Sequence, residues 1–316
     1  MRRVLLIAGG GTLGTYTAAE LLRMGCAVDV ICPEEKKSDH PNLRFIRSLA
    51  TEALLRELFA AGKYDGIVNF IHYKTLDAYR QIHPLLIANT EHLIFLSSYR
   101  VYADRVHPIT EEAPRLYDVS EDAEFLQNED YAVPKSRCED YLRGERAGEP
   151  WTIVRPVISF SQYRLDLYVH SRHCVCEYAE RGEALRIPSS SRYLTAGIDW
   201  AGNSGKLIAR LLFKPHTWGE TYTVSSAQNL TWDEVAKIYR ELIGLEINWC
   251  SDEDFYNAHP AYRDQKRWIL DYDRRFDRAI NNEKILAATG LCSTDFTSIR
   301  DGIAMELNQL RRNEKA

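Results

Sequence analysis

The stretch Val4 to Leu22, VLLIAGGGTLGTYTAAELL, constrains this chain more than any other. Val4 to Ala8 is an apolar run of strand length, far too short to cross a membrane. Glycines at positions 9, 10, 11 and 14 follow at once, and Ala18, Ala19, Leu21 and Leu22 then recur at helical spacing. A strand, a tight glycine turn and a helix whose N-terminus faces the turn are therefore predicted. Unpaired backbone N–H groups and the positive end of the helix dipole meet there, a combination that holds a pyrophosphate. In the G-x-G-x-x-G spacing, Gly9 allows the turn, Gly11 lets phosphates approach the backbone and Gly14 lets the helix pack closely on the strand. Thr12 and Leu13 belong to the same cofactor-binding turn. A glycine-rich connection without a ligand is the plain alternative.

The 316 residues, 45% of them hydrophobic, suffice for a sizeable core in one or two domains. A net charge of −5 argues against nucleic acid as the main partner. Met1-Arg2-Arg3 before an apolar run suggests a signal peptide, but the run stops at glycine too soon for one. No membrane span is expected. Seven cysteines form no C-x-x-C pair and no zinc spacing, which fits reduced thiols and a cytoplasmic protein.

Further strands are predicted at 25–32, 43–46, 65–71, 93–96 and 151–154, with helices at 51–60 and 77–87, the second interrupted by Pro84. This alternation implies a Rossmann-type, doubly wound α/β fold with a parallel sheet, whose ligands bind outside the carboxyl ends of the strands. Cys32 ends the second strand, where an acid commonly holds the ribose hydroxyls of NAD. Glu34, Glu35, Lys36 and Lys37 follow; the acids suit NAD, the lysines suit the 2′-phosphate of NADP, and a solvated loop suits both. NAD is weakly preferred. Residues 1–160 are expected to form the nucleotide-binding domain. Residues 161–316 are expected to form mainly a smaller substrate lobe, with about 192–230 returning to the first domain. Within that lobe, Thr231 to Gly244 reads as a capped helix.

Several segments, in order and spacing, carry a resemblance. They are Ser97-Ser98-Tyr99-Arg100-Val101-Tyr102, Pro108-Ile109-Thr110-Glu111-Glu112, Tyr131-Ala132-Val133-Pro134-Lys135-Ser136 and Arg155-Pro156, with later echoes at Arg192, 199–201, 219–224, 231–235 and 282–285. Together they resemble the extended short-chain dehydrogenase/reductase superfamily, and within it the NAD-dependent epimerase/dehydratase family that acts on nucleotide sugars. The resemblance implies a cytoplasmic homodimer with a small-molecule substrate.

Tyr131 and Lys135 are four apart and would share a helix face. A phenol, with a reference pKa near ~10, becomes a usable base beside an ammonium, which favours the phenolate. Tyr131 is thus the expected acid/base and Ser98 the residue that steadies the reacting oxygen. The resemblance adds that Lys135 reaches the nicotinamide ribose, that Ser97 and the segment at Arg155 lie beside the cofactor, and that Tyr99 and Arg192 face the substrate. Arg155 could equally be an ion-pair partner, and Arg192 a surface residue. Arg274, Arg275 and Arg278 are further candidates for a diphosphate, or else a salt-bridged face with the interleaved acids.

The chain departs from the family pattern at four points. Ala8 stands where glycine is usual, Ser48 where an acid contacts adenine, His72 where a small residue lies beside the cofactor, and Pro134 inside the Tyr–Lys turn. Ser98-Tyr99-Arg100 lacks the Asp and Glu of the dehydratases, which sets water loss aside. The expected activity is epimerisation by transient hydride transfer. The alternatives are a net carbonyl reductase and a catalytically silent nucleotide-binding protein.

Overall fold

The computed structural model describes residues 1–313. Its centre is a seven-stranded sheet in the order β10-β6-β5-β4-β1-β2-β3, with every neighbouring pair parallel. These strands are β1 (Arg3–Ile7), β2 (Ala27–Cys32), β3 (Leu43–Arg47), β4 (Gly66–Asn69), β5 (Leu93–Leu96), β6 (Trp151–Pro156) and β10 (Thr221–Val224). The order reverses beside β1, so the crevice at the carboxyl ends of β1 and β4 is a topological switch point.

Alternation along each strand divides the sheet between two cores. Val4, Leu6, Val28, Val30, Val68, Ile94 and Val154 face the helices Thr12–Arg23 and Ala201–Leu211. Leu5, Ile7, Ile31, Ile67, Leu93, Phe95 and Ile153 face the helices Glu52–Ala60, Leu76–Ile87 and Ala132–Arg143. Both sets are buried, as a parallel sheet covered on both faces requires. Each such side chain contributes roughly 1.5–3 kcal/mol through removal from water.

A third core lies beyond the sheet edge, where Leu165, Tyr168, Leu185, Ile187, Trp232, Tyr239 and Phe255 pack together. Two short parallel pairs frame it: β7 (Ile158–Phe160) with β9 (Ile198–Trp200), and β8 (Ala184–Pro188) with β11 (Glu246–Cys250). The helix Trp232–Ile243 carries the expected capping box between Thr231 and Glu234, and Gly244 ends it in a left-handed conformation (φ 72°). Both β10 and the helix Ala201–Leu211 pack with the seven-stranded sheet although they follow parts of the third core in sequence.

Glu306, on the final helix, joins the two regions. It accepts hydrogen bonds from Tyr16 on the first helix, from Trp200 Nε1 (2.6 Å) and from the backbone of Gln162 (2.7 Å). No helix among the described residues is long and apolar enough to cross a membrane. The same residues hold no cluster of His, Cys, Asp or Glu able to bind a metal ion. All seven cysteines are free thiols.

Candidate active site

A cleft of about 410 Å³ opens at the switch point. One wall is the glycine turn, with Ala8, Gly11, Thr12, Leu13 and Gly14 lining it. A Cβ on Gly14 would stand 2.2 Å from the Gly9 carbonyl oxygen, so helix and turn touch backbone to backbone. A Cβ on Gly11 would meet nothing within 4 Å, which leaves that side of the turn open to a ligand. Gly11 precedes the first residue of the helix, and the first turn, Thr12, Leu13 and Gly14, lines the cleft with its unpaired backbone N–H groups near by. Ala8 holds φ at 56°, a left-handed conformation that glycine adopts without cost and alanine does not.

The rim of this turn differs from the expectation for Cys32. Its side chain is 1% exposed and packs under Gly10, and its thiol donates to the Glu34 carbonyl (3.5 Å), so it does not reach the cleft. Glu34, two residues on, is exposed, and its Oε2 lies 2.9 Å from where a Cβ on Gly10 would stand. Lys36 donates to the Gly10 carbonyl and lies 4.9 Å from the centre of the Tyr163 ring. Thr12 and Ser161 join their hydroxyls at 3.0 Å. The chain after β7 therefore straps across the glycine turn.

The lining continues at the end of β5. Ser97 and Ser98 are buried and line the cleft, and Ser98 Oγ accepts from the Arg100 backbone N–H (3.2 Å) to start a short 3-10 turn, Tyr99–Val101. Tyr131 lines the same cleft. It lies just before the helix Ala132–Arg143, so Pro134 falls in the first turn, where its missing N–H leaves no bond unmade. Glu129 caps this helix, its carboxylate accepting from the N–H groups of Ala132 (2.6 Å) and Val133 (3.0 Å). Lys135 is buried, donates to the Leu96 carbonyl (2.8 Å) and places its ammonium 5.2 Å from the Tyr131 ring centre. Burial pulls the Lys135 pKa down, opposed by the charge of Tyr131.

His72 stacks on Tyr131 with ring centres 5.0 Å apart. Its Nε2 donates to the Asp130 carbonyl (2.9 Å), and its buried Nδ1 has no partner. Burial, reinforced by Lys135, lowers the His72 pKa and favours the neutral ring.

Two expected ligand-binding arginines lie elsewhere. Arg155 is 1% exposed and points into the interior, with Nε donating to Glu139 Oε1 (2.8 Å) and its guanidinium 4.6 Å from the Tyr102 ring centre. Burial raises the pKa of Glu139, but the charge of Arg155 overrides it and holds the carboxyl at about 2. Arg155 is thus an ion-pair residue; Pro156 and Val157, just after it, line the cleft. Arg192 donates to Asp233 (2.8 Å) and sits 5.3 Å from the Trp249 ring centre, in a separate pocket. Its sequence position carried no information about that local partnership.

The charged groups that do reach the cleft are Arg100, Arg164, Asp273 and Arg274. Asp273 is buried and accepts from Tyr99 and Arg274. Burial pushes its carboxyl up, but Arg274, Arg100 and Arg278 together hold it below its ordinary value. Tyr99 lines the cleft, but its hydroxyl is committed to Asp273. Arg275 instead pairs with Asp252 (2.9 Å), and Arg278 donates to the Tyr102 (3.0 Å) and Tyr272 (2.9 Å) carbonyls. The interleaving of Asp and Arg across 271–278 was visible in the sequence; which pair faces the cleft was not.

A parallel sheet in this order, with a glycine turn at its switch point, defines a Rossmann-type fold. The chain shares it with solved epimerase structures over nearly its whole length. An epimerase from Methanothermobacter thermautotrophicus superposes with a TM-score of 0.70 at 16% identity, covering 99% of this chain and 93% of that one. UDP-glucose 4-epimerase from Thermotoga maritima, solved with UDP-glucose, gives 0.69 at 15% identity over 98% and 99% of the two chains. UDP-glucuronic acid 4-epimerase from Bacillus cereus, solved with UDP-glucuronic acid and NAD, gives 0.68 at 12% identity over 98% and 99%. No family model matches the sequence, and no curated protein does.

Proposed function

We propose that the protein is an NAD-dependent epimerase of a nucleotide sugar. The observation that carries this reading is the convergence of Ser98 and Tyr131 on one cleft with the glycine turn, with Lys135 beside the Tyr131 ring. The fold shared with epimerases solved with NAD or UDP-sugars supports it.

The glycine turn fits a dinucleotide because Gly11 is open while Gly9 and Gly14 are in backbone contact. When bound, a nicotinamide supplies the hydride acceptor that inversion at a carbinol carbon requires. Tyr131 takes the proton from the substrate hydroxyl and later returns it, with Ser98 hydrogen-bonded to the same oxygen. Lys135 stabilises the phenolate electrostatically and His72 holds the tyrosine ring against the cleft wall. The lobe beyond about residue 160 contributes the substrate-facing side, and two copies of the chain form a homodimer. The strap formed by Lys36, Tyr163 and Ser161 favours a retained, recycled cofactor over one released at each turnover.

Denaturing the purified protein and identifying the released nucleotide by chromatography tests the cofactor; NAD or NADH is expected. Incubation with UDP-sugars should then change the sugar configuration without net change at the reduced-nicotinamide band. Net oxidation or reduction would replace this reading by that of a carbonyl reductase.

A further inference from the structure

Arg100 has no part in the proton transfer assigned to Ser98 and Tyr131, yet it shares their wall. Its guanidinium carbon lies 4.7 Å from the Tyr131 ring centre. The side chain is 17% exposed and lines the cleft. Its two acidic neighbours, Glu129 Oε1 and Asp273 Oδ2, each stand 3.6 Å away, beyond hydrogen-bond range, and its Nε is buried without a partner. Both acids are committed elsewhere. Glu129 caps the helix that follows Tyr131, and Asp273 accepts from Tyr99 and Arg274. Arg100 is therefore held by charge and by the aromatic ring while its hydrogen-bond donors remain unspent.

An arginine in that state beside a reacting centre is matched to a planar anion, because its fork of donors meets both oxygens of a carboxylate. The local charge agrees. The cleft lining carries Arg100, Arg164 and Arg274 against Asp273, which leaves an excess of positive charge facing a ligand. A neutral substrate would leave a desolvated guanidinium without an acceptor, at a cost that a carboxylate removes.

We propose that Arg100 recognises a carboxylate carried on the sugar ring next to the reacting carbon, so that the cleft takes a nucleoside diphosphate uronic acid in preference to the neutral hexose. The location of the reacting carbon rests on the epimerase reading. The carboxylate site itself can be measured without turnover.

The test is calorimetric titration of the NAD-loaded protein with UDP-glucuronic acid, UDP-glucose and UDP, in the native chain and in Arg100→Met and Arg100→Lys. The native protein is expected to bind UDP-glucuronic acid at least about 10-fold more tightly than UDP-glucose, in line with a charge-assisted hydrogen-bond pair. Arg100→Met should erase that gap by weakening the acid about 10- to 100-fold while UDP and UDP-glucose change little. Arg100→Lys should restore part of it. Unchanged NAD affinity and circular dichroism report that each variant is folded. Equal affinity of the native protein for the two sugars overturns the proposal. So does an Arg100→Met variant that weakens UDP as strongly as UDP-glucuronic acid, which would assign the arginine to the diphosphate. An Arg100-dependent preference for the acid without epimerisation would keep the carboxylate site and remove the epimerase reading. Binding of none of the three nucleotides would remove both.

Discussion

The two walls of the cleft are built differently. The wall of the glycine turn, Ser98, Tyr131 and Lys135 hangs on strand ends and one helix start, and its side chains are fixed by neighbours close in sequence or by strand backbone. Ser98 is set by Arg100 N–H and Lys135 by the Leu96 carbonyl. The wall of Asp273 and Arg274 is assembled from afar: Tyr99 and Asp273 meet across 174 positions, and Arg278 reaches the Tyr102 carbonyl across 176. The first wall suits chemistry, which needs rigid placement on secondary structure, and the second suits recognition, which tolerates remodelling.

The sharpest break between the walls is Tyr131→Phe. Removing the hydroxyl from the first wall should lower kcat by about 10²- to 10⁴-fold while NAD affinity stays within about twofold, checked by sugar-isomer chromatography and fluorescence titration. Turnover close to the native rate would remove Tyr131 from the chemistry.

A second, smaller effect separates scaffold from site. Arg155→Met leaves the Glu139 carboxylate buried and unpaired by its main partner, and should cost about 3–5 kcal/mol in urea unfolding. The pair also sets an acid limit. The folded pKa of Glu139, about 2, lies below its ordinary 4.5, so the stabilisation is complete above about pH 4.5 and is lost as pH falls through about 2. Glu139→Gln should flatten the stability profile across that window. An unchanged profile would show that other carboxylates set the acid limit.

Arg192→Ala sharpens the comparison from outside the cleft. Its partners are Asp233 and Trp249, so kcat/KM for the sugar nucleotide should stay within about twofold and stability should fall by no more than about 1 kcal/mol. A large rise in KM would return this arginine to the substrate site. The smallest effect belongs to Ala8→Gly, which relieves the left-handed strain and should raise stability by up to about 1 kcal/mol, read from the urea midpoint.

The strand–turn–helix at the N-terminus, the five further strands and the capped helix at 232–243 were legible because each is a local pattern of period and cap. The Tyr131–Lys135 relation was legible too, though the reason differs from a shared helix face. Tyr131 stands just outside the helix and Lys135 inside its first turns, which is why Pro134 between them is harmless. Arg155, Arg192 and Cys32 show the limit. An arginine at a given position reads the same whether it meets a ligand or a buried acid, and the acids that claimed Arg155 and Arg192 are 16 and 41 residues distant. Arg100 was overlooked for the converse reason: beside Ser98 it read as an absent dehydratase acid, not as a group with unspent donors.

By itself the sequence determined the parallel α/β architecture, the glycine turn at its switch point and the side of the sheet on which a ligand would lie. Those follow from periodicity, glycine sterics and strand direction, all of which act over a few residues. Tertiary structure alone decided which charges face the cleft, because ion pairs and burial depend on contacts between elements far apart in the chain. Asp273 and Arg274 face the cleft while Arg275 and Arg278 do not, and Arg100 keeps its donors free. Each is the outcome of which distant partner came within about 3 Å, the distance at which a hydrogen bond is made or left unmade.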